Sequence, residues 1–259
     1  MDILIPILIV LAIGLIAGLG LSIASIVMAV PTDERIAKVR ECLPGANCGA
    51  CGYSGCDGYA EAIAKGECAL NLCAPGAQAT AEAIGEVMGV AVEVAEKQVA
   101  VVNCNGNCEN VQDKMVYSGL SSCAAANMFY GGTKDCQYGC LGLGECVRAC
   151  KFDALHIIDG KAVVDPEKCT ACGACIKACP KGIISLKPYA QRYWVYCSNK
   201  DKGAAANKVC RVSCIACGKC AKVCESDAVF VENNLAVIMP EKCIACGKCA
   251  ENCPKKCIL

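Results

Sequence analysis

Residues 243–254 read CIACGKCAENCP, and this stretch decides what kind of core the chain can have. Its cysteines follow the spacing C-x2-C-x2-C-x3-C, with a proline directly after the last cysteine. This spacing is typical of thiolates that bind [4Fe-4S] clusters, where three cysteines of a box bind one cluster and the fourth binds a second cluster. A partner box is therefore expected elsewhere in the chain.

The partner box lies upstream, and the pair of boxes occurs twice. Eight cysteines between Cys136 and Cys179 recur 74 residues later, between Cys210 and Cys253. This repeat predicts two ferredoxin-like modules with two clusters each. In the second module the expected ligand sets are Cys214, Cys217, Cys220 and Cys253 for one cluster, and Cys243, Cys246, Cys249 and Cys224 for the other.

The first module departs from the pattern at one position, where Leu143 stands in place of Cys217 of the repeat. Its complete set is Cys150, Cys169, Cys172 and Cys175, and its incomplete set is Cys140, Cys146 and Cys179. Cys136, four residues before Cys140, is the nearest candidate to supply the missing thiolate. Without it, a three-cysteine [3Fe-4S] site is the alternative. Cys210, its counterpart, persists in the module that lacks nothing, so this position could have another role.

Another cysteine group precedes the repeat. Its thiols, Cys48, Cys51, Cys56 and Cys73, follow the spacing C-x2-C-x4-C-x16-C on a glycine-rich segment, with a short helix expected near residues 58–64. Structural zinc is the alternative, but zinc sites favour two separated C-x2-C pairs. We therefore predict a [4Fe-4S] cluster here and interpret Cys42 and Cys68, which lie outside the pattern, as small apolar residues.

Eight of the 28 cysteines remain after these five sets are assigned. Five of them are candidate ligands of a sixth cluster: Cys104, Cys108, Cys123, Cys197 and Cys210. Cys257 occupies the position of the apolar Ile183 in the first module and is interpreted as structural. The sequence thus predicts five [4Fe-4S] clusters and leaves a sixth open.

The composition also indicates a metal-stabilised core, because 28 cysteines accompany only three Phe and one Trp. A secreted disulfide scaffold is the other class of such chains, but the repeated boxes favour metal and a reducing compartment. Residues 131–259 carry 19 Lys and Arg against 12 Asp and Glu. This excess either offsets the charge of the clusters or docks an acidic redox protein. No nucleic-acid recognition motif is present, so nucleic acid is not an expected partner.

The N-terminus predicts an anchor in the lipid bilayer. Residues 3–30 contain no charged side chain over 28 positions, and ~20 apolar residues suffice to span a bilayer. A cleaved signal peptide is the alternative, but the basic n-region of such peptides is missing. Arg35, Lys38 and Arg40 follow the span, which places the remaining domains in the cytoplasm by the positive-inside rule.

We therefore expect an α+β chain built from five segments. Runs of β-branched residues around Asp159-Gly160 and Asn233-Asn234 predict one β-hairpin in each module. The segments are a transmembrane anchor (1–30), a small helical [4Fe-4S] domain (31–98), a connecting segment (99–130), ferredoxin-like module 1 (131–187) and ferredoxin-like module 2 (188–259).

This order of segments resembles the B subunit family of Rnf electron-transport complexes, and LPGANCGACGYSGC at residues 43–56 is the most specific part of the resemblance. The resemblance implies an electron-transfer subunit of a ferredoxin:NAD oxidoreductase that translocates Na+ or H+ across the cell (inner/cytoplasmic) membrane. It also implies two kinds of partner, reduced ferredoxin and the other membrane and peripheral subunits of the complex.

The residues themselves support an electron relay. No glycine-rich phosphate loop follows a predicted strand, so no nucleotide site is expected on this chain. Two alternatives remain at this point. One is a polyferredoxin subunit of another membrane redox complex, of hydrogenase or formate dehydrogenase type, and the other is a cluster-stabilised scaffold or redox sensor.

Overall fold

The computed structural model describes residues 4–27, 33–92 and 96–259, and within the first helix it describes the side chains of residues 11–24. This helix, α1 (Leu4–Val27), contains no charged residue, and its side chains from Leu11 to Ile23 are exposed. Counted over described residues alone, no helix is both long and apolar enough to cross a membrane. The predicted span of residues 3–30 includes positions outside the described ranges.

Three helices form the small domain that follows. The Asp33 carboxylate caps the first of them by accepting a hydrogen bond from the Arg35 N–H at 2.9 Å. Val39, Tyr59 and Ile84, one from each helix, are almost fully enclosed and form a common core. The helices are α2 (Glu34–Cys42), α3 (Cys56–Lys65) and α4 (Ala77–Met88). The predicted helix near residues 58–64 is therefore present as α3.

Each module contains the predicted hairpin. The turn residues Asp159, Gly160, Asn233 and Asn234 all have positive φ, between 48° and 71°. This conformation is typical of the two-residue turns whose twist matches the flanking strands. The strands are β2 (Leu155–Ile158) with β3 (Lys161–Val164), and β5 (Val229–Glu232) with β6 (Leu235–Ile238).

A further strand, β1 (Gln98–Val102), pairs with β4 (Ile184–Pro188) in antiparallel register, Val101 opposite Ser185. Part of the predicted connecting segment is thus a strand of the first module. In the second module a single bridge between Val195 and Ile258 takes the same place beside the last box. The two modules are therefore related by equivalent strands as well as by equivalent boxes.

Short helices follow the cysteine loops of the boxes. Four of them begin after a glycine in the left-handed conformation, with φ between 70° and 80°, where an L side chain would be strained. Around them the module cores consist mainly of cysteine and small apolar residues. The short helices are α5 (Cys123–Asn127), α6 (Glu145–Ala149), α7 (Ala174–Ala178), α8 (Gly203–Val209), α9 (Lys219–Lys222), the 3-10 helix Pro240–Lys242, and α10 (Lys248–Glu251).

Candidate metal centres

The structure gathers the cysteines of the N-terminal group around one cavity. Tyr59 closes this cavity from α3, and its hydroxyl donates to the Ala69 carbonyl at 2.8 Å and accepts from the Leu72 N–H at 3.0 Å. These hydrogen bonds hold the segment that brings Cys73 back to the cavity. The lining cysteines are Cys48, Cys51, Cys56 and Cys73, as the spacing predicts.

Cys42 and Cys68 are not among the residues that line this cavity. The Cys42 thiol donates to the carbonyl of Lys38, one helical turn earlier, at 3.3 Å. Cys68 packs against the core of the small domain from outside the cavity. Both positions agree with their interpretation as small apolar residues.

In the first module the complete set also lines one cavity, formed by Cys150, Cys169, Cys172 and Cys175. Strand β1 contributes to it, because the Ala100 N–H donates to the Cys169 Sγ at 3.3 Å. Burial, with smaller contributions from the neighbouring cysteines, raises the pKa of the Cys175 thiol to about 11. Such a thiol loses its proton readily only when a cation replaces it.

In the second module Cys214, Cys217, Cys220 and Cys253 line one cavity together with Cys257. Cys257 is 2% exposed, and its Sγ lies 3.6 Å from the Cys253 Sγ. A hydrogen bond with the Cys257 thiol lowers the pKa of Cys253 to about 5. Cys257 is thus buried, as expected, and its thiol is within hydrogen-bond distance of one cysteine of the set.

The other set of the second module, Cys224, Cys243, Cys246 and Cys249, is more open. Burial and the neighbouring Cys243 and Cys246 raise the pKa of Cys249. Cys224 and Cys243 pack against the core that contains Cys249. The Ala228 N–H donates to the Cys224 Sγ at 3.3 Å, and Cys246 is exposed to solvent.

The incomplete set differs from its prediction. Cys140, Cys146 and Cys179 line one cavity, but the further cysteine in that cavity is Cys123 and not Cys136. Burial raises the pKa of Cys146 to about 12, with smaller contributions from Cys140, Cys123 and Cys179. Cys136 is near Cys140 in the sequence but does not line this cavity. It lies in a separate cluster of buried residues with Val111 and Cys210.

Cys136 instead belongs to a group between the two modules. Burial, with smaller contributions from Cys136 and Cys104, raises the pKa of Cys210 to about 11. A Cβ placed on Gly106 would lie 3.6 Å from the Sγ atoms of both Cys104 and Cys210, so these two sulfurs are separated by at most about twice that distance. Cys197 completes the group, because its thiol is close enough to Cys104 for that neighbour to raise its pKa.

The two modules contribute to this group in the same way. The Cys140 N–H donates to the Cys104 Sγ, and the Cys214 N–H, 74 residues later, donates to the Cys197 Sγ, both at 3.3 Å. Cys104 is therefore the structural counterpart of Cys197. All four cysteines of this inter-module group, Cys104, Cys136, Cys197 and Cys210, are at most 9% exposed.

Two cysteines of the predicted sixth set lie elsewhere. Cys108 is exposed and packs against Gly160 at the hairpin turn, and Cys123 lines the cavity of the incomplete set. Counting 74 residues back from Cys197 gives Cys123. However, the connection from Cys104 to Cys136, residues 105–135, is longer than the connection from Cys197 to Cys210, residues 198–209. The structural counterpart of Cys197 is therefore Cys104. Unequal connection length was the signal in the sequence that could have revealed this.

The surroundings of these cysteines suit iron–sulfur clusters. Backbone N–H groups of Ala162, Ala236 and Ala245 donate to the sulfurs of Cys140, Cys214 and Cys243 at 3.4 Å. Such donors stabilise thiolate ligands and tune cluster potentials. The cysteines of each set are grouped because they share a cavity or a core. Among the described residues, no three Cys, His, Asp or Glu side chains are close enough together to hold one metal ion.

Comparisons with known proteins agree with this organisation. A protein-family model described as "Putative Fe-S cluster" matches residues 43–75, and one described as "4Fe-4S binding domain" matches residues 162–185 and 236–259. The chain is 48% identical over 257 residues to the B subunit of the Na(+)-translocating ferredoxin:NAD(+) oxidoreductase complex of Acetobacterium woodii, a match that covers 99% of this chain and 77% of that protein.

Two further relatives have similar names. The B subunit of the proton-translocating ferredoxin:NAD(+) oxidoreductase complex of Clostridium ljungdahlii is 41% identical, over 87% of this chain and 80% of its own length. The B subunit of the ion-translocating oxidoreductase complex of Methanosarcina acetivorans is 42% identical, over 95% of this chain and 96% of its own length.

Proposed function

Because the chain belongs to the family of B subunits of Rnf-type ion-translocating ferredoxin:NAD(+) oxidoreductase complexes, we propose that it takes electrons from reduced ferredoxin and relays them through [4Fe-4S] clusters to other subunits of the complex. The observation that carries the proposal is the succession of cysteine sets along the chain, with an additional group between the modules. This family membership favours an Rnf-type complex over a hydrogenase or a formate dehydrogenase.

The cysteine sets would hold the clusters as thiolates, and the clusters would supply one-electron transfer. The chain's own contribution is to bury the sulfurs and to direct N–H groups at them, because these donors stabilise the negative charge gained on reduction. The Ala100 N–H at Cys169 and the Ala236 N–H at Cys214 have this role in the two modules.

A cluster at the inter-module group would connect the two modules. Its ligands, Cys104, Cys136, Cys197 and Cys210, come in equal numbers from each module. The Asn199 side chain, 1% exposed, donates to the Cys136 Sγ at 3.7 Å across this boundary. We therefore propose six clusters in total, the sixth at the inter-module group.

Residues 3–30 act in this proposal as a single-pass anchor, with the cysteine domains on the cytoplasmic side of the cell membrane. Two observations support it. The stretch has no charged residue, and the apolar side chains of α1 from Leu11 to Ile23 are exposed, an arrangement that costs free energy in water and not in lipid. Full-length protein is expected in the membrane fraction after a high-salt wash, and protein without residues 1–30 in the supernatant.

The second module offers a docking face for ferredoxin. Cys217 and Cys246 are exposed, so their clusters would come close to the surface there. An exposed lysine follows each cysteine after two residues, Lys219 and Lys248, and Lys248 also pairs with Glu225 at the surface. Basic side chains around an exposed cluster attract acidic redox proteins.

Rapid mixing under anaerobic conditions tests the proposed function. Purified full-length protein is mixed with reduced ferredoxin, and cluster bleaching is followed by absorbance. We expect fast reduction, followed by reoxidation when partner subunits of the complex are added. Clusters that ferredoxin does not reduce would contradict a relay and favour a structural scaffold.

A further inference from the structure

Residues 105–135 form an insertion in the first module, and Cys123 lies within it. We infer that Cys123 is the fourth ligand of the set Cys140, Cys146 and Cys179, and that Glu145 and Arg148 are positioning residues that hold it there. The inference rests on the proposed function, since it assumes a cluster at this set. On ligation the thiol loses its proton to solvent, and its sulfur bonds to iron.

The box around Leu143 keeps the backbone of a complete box although it lacks one thiol. Gly142 and Gly144 have φ of 74° and 78°, and their counterparts Ala216 and Gly218 have φ of 54° and 70°. The loop therefore still wraps around a cavity like that of the second module. Cys123 lines this cavity, and Leu143 is not among the residues that do.

Helix α6 begins in this same box, and hydrogen bonds of its side chains hold the segment that carries Cys123. The Glu145 carboxylate accepts hydrogen bonds from the Ser122 hydroxyl and, at 3.1 Å, from the Ala124 N–H. Cys123 lies between these two donors in the chain. One acidic side chain thus fixes the backbone on both sides of the cysteine.

Arg148 of α6 also holds this segment through hydrogen bonds. Its guanidinium donates to the Ser121 carbonyl at 2.9 Å and to the Leu143 carbonyl at 3.0 Å. It therefore joins the inserted segment to the very residue that replaces the missing cysteine. A planar guanidinium can hold two carbonyls at once in a fixed geometry, which a lysine cannot do as well.

The second module provides an internal comparison. At the positions of Glu145 and Arg148 it has Lys219 and Lys222, and its box contains its own Cys217. Lys219 cannot accept hydrogen bonds from a neighbouring segment, because an ammonium group is only a donor. Glu145 and Arg148 therefore occur in the first box of module 1, which lacks one cysteine ligand. The complete box of the second module has lysines at both positions.

Iron, acid-labile sulfide and EPR spectra of anaerobically purified full-length variants test the inference. We expect Cys123→Ser to lose about one iron per chain and to gain a [3Fe-4S] signal, as a three-cysteine site would. Glu145→Gln and Arg148→Met should give the same signal in a fraction of molecules. Lys222→Ala, the matched position in the second module, should retain the parent's iron and spectrum.

Restoring the missing ligand makes the test specific. In a Leu143→Cys background, Cys123→Ser and Glu145→Gln should regain the parent's iron content, because the box then supplies its own thiolate. A purely structural role of Glu145 would not be rescued in this way. If Cys123→Ser keeps the iron and EPR spectrum of the parent, the inference is overturned while the proposed function stands. A parent protein without iron and sulfide would overturn both.

Discussion

Cys257 is enclosed in the cavity of the second module that Cys214 and Cys253 line, and its thiol hydrogen bonds to Cys253. The first module has Ile183 at this position, which offers no donor. Cys257→Ala should therefore lower the reduction potential of the cluster at this set, because a donor that stabilises the reduced form is lost. An EPR-monitored redox titration of the variant measures the shift.

Cys257→Ser serves as the control for this experiment. A serine hydroxyl keeps a donor in a similar volume, so its potential should lie closer to that of the parent than the alanine variant does. Equal potentials in parent and alanine variant would mean that the Cys257 thiol has no influence on the cluster.

Tyr59 offers a second prediction at the scale of one side chain. Its hydroxyl satisfies the Ala69 carbonyl and the Leu72 N–H, and its side chain is 1% exposed. Tyr59→Phe leaves both backbone groups without this partner and should destabilise the small domain by about 1–3 kcal/mol. Faster release of iron to a chelator measures the effect, and Tyr189→Phe, whose hydroxyl bonds Glu167 at the surface, is the control. Equal release rates would contradict the proposed role of Tyr59.

Single residues also show where sequence reasoning succeeds and fails. Cysteines of one predicted set share a cavity or a core in the structure, because a tight loop leaves the backbone few alternatives. Cys123 and Cys136 lie outside the boxes, and their positions depend on how residues 105–135 cross the module. Cysteine spacing contains no information about the course of residues 105–135. Spacing alone therefore predicts Cys136 in the cavity that Cys123 lines.

Among the structural elements, the first box of module 1 packs closely against the hairpin turn of that module. A Cβ on Gly142 would lie 2.5 Å from the carbonyl oxygen of Gly160, and the φ of Gly142 is 74°. Gly142→Ala should therefore destabilise the module by roughly 1–3 kcal/mol, because the box or the hairpin turn must shift to admit the added methyl group. A lower temperature of cluster loss is the expected measurement.

The second module supplies the matched control for this substitution. Ala216 already occupies the equivalent position with φ of 54°, which shows that the left-handed conformation itself is tolerated there. Ala216→Gly should change the temperature of cluster loss little. If Gly142→Ala is equally mild, the close contact with Gly160 does not constrain the box.

The elements also separate what a pattern can predict from what it cannot. Both hairpins follow from local turn residues and β-branched runs, and the structure confirms them. The pairing of β1 with β4 joins residues far apart in the chain, and no local sequence pattern indicates which strand pairs with β1. The shift of equivalence from Cys123 to Cys104 follows from that pairing, since β1 leads directly to Cys104.

For the molecule as a whole, cysteines make up five of the 15 buried core residues of the first module and five of the nine of the second. Removal of iron should therefore unfold the modules, because metal binding and folding are coupled when the ligands form the core. We expect loss of far-UV circular dichroism as an anaerobic chelator extracts iron. A spectrum that persists after complete extraction would show that the modules fold without their clusters.

The proposed ferredoxin face gives a prediction about charge. If the basic second module attracts an acidic partner, the rate of reduction should fall steeply with added salt, since screening shortens the reach of charges. Lys219→Glu should lower the rate at low salt, whereas Lys65→Glu, at an exposed side chain of the small domain, should not. A rate that is independent of salt would place docking on another surface.

An anaerobic reductive titration measures whether six clusters on one chain accept electrons from ferredoxin. Full-length protein is titrated with reduced ferredoxin, electrons accepted per chain are counted, and iron is determined on the same sample. We expect about six electrons and about 24 irons per chain, from one electron and four irons per cluster. A chain that binds iron but takes up no electrons from ferredoxin would contradict this expectation.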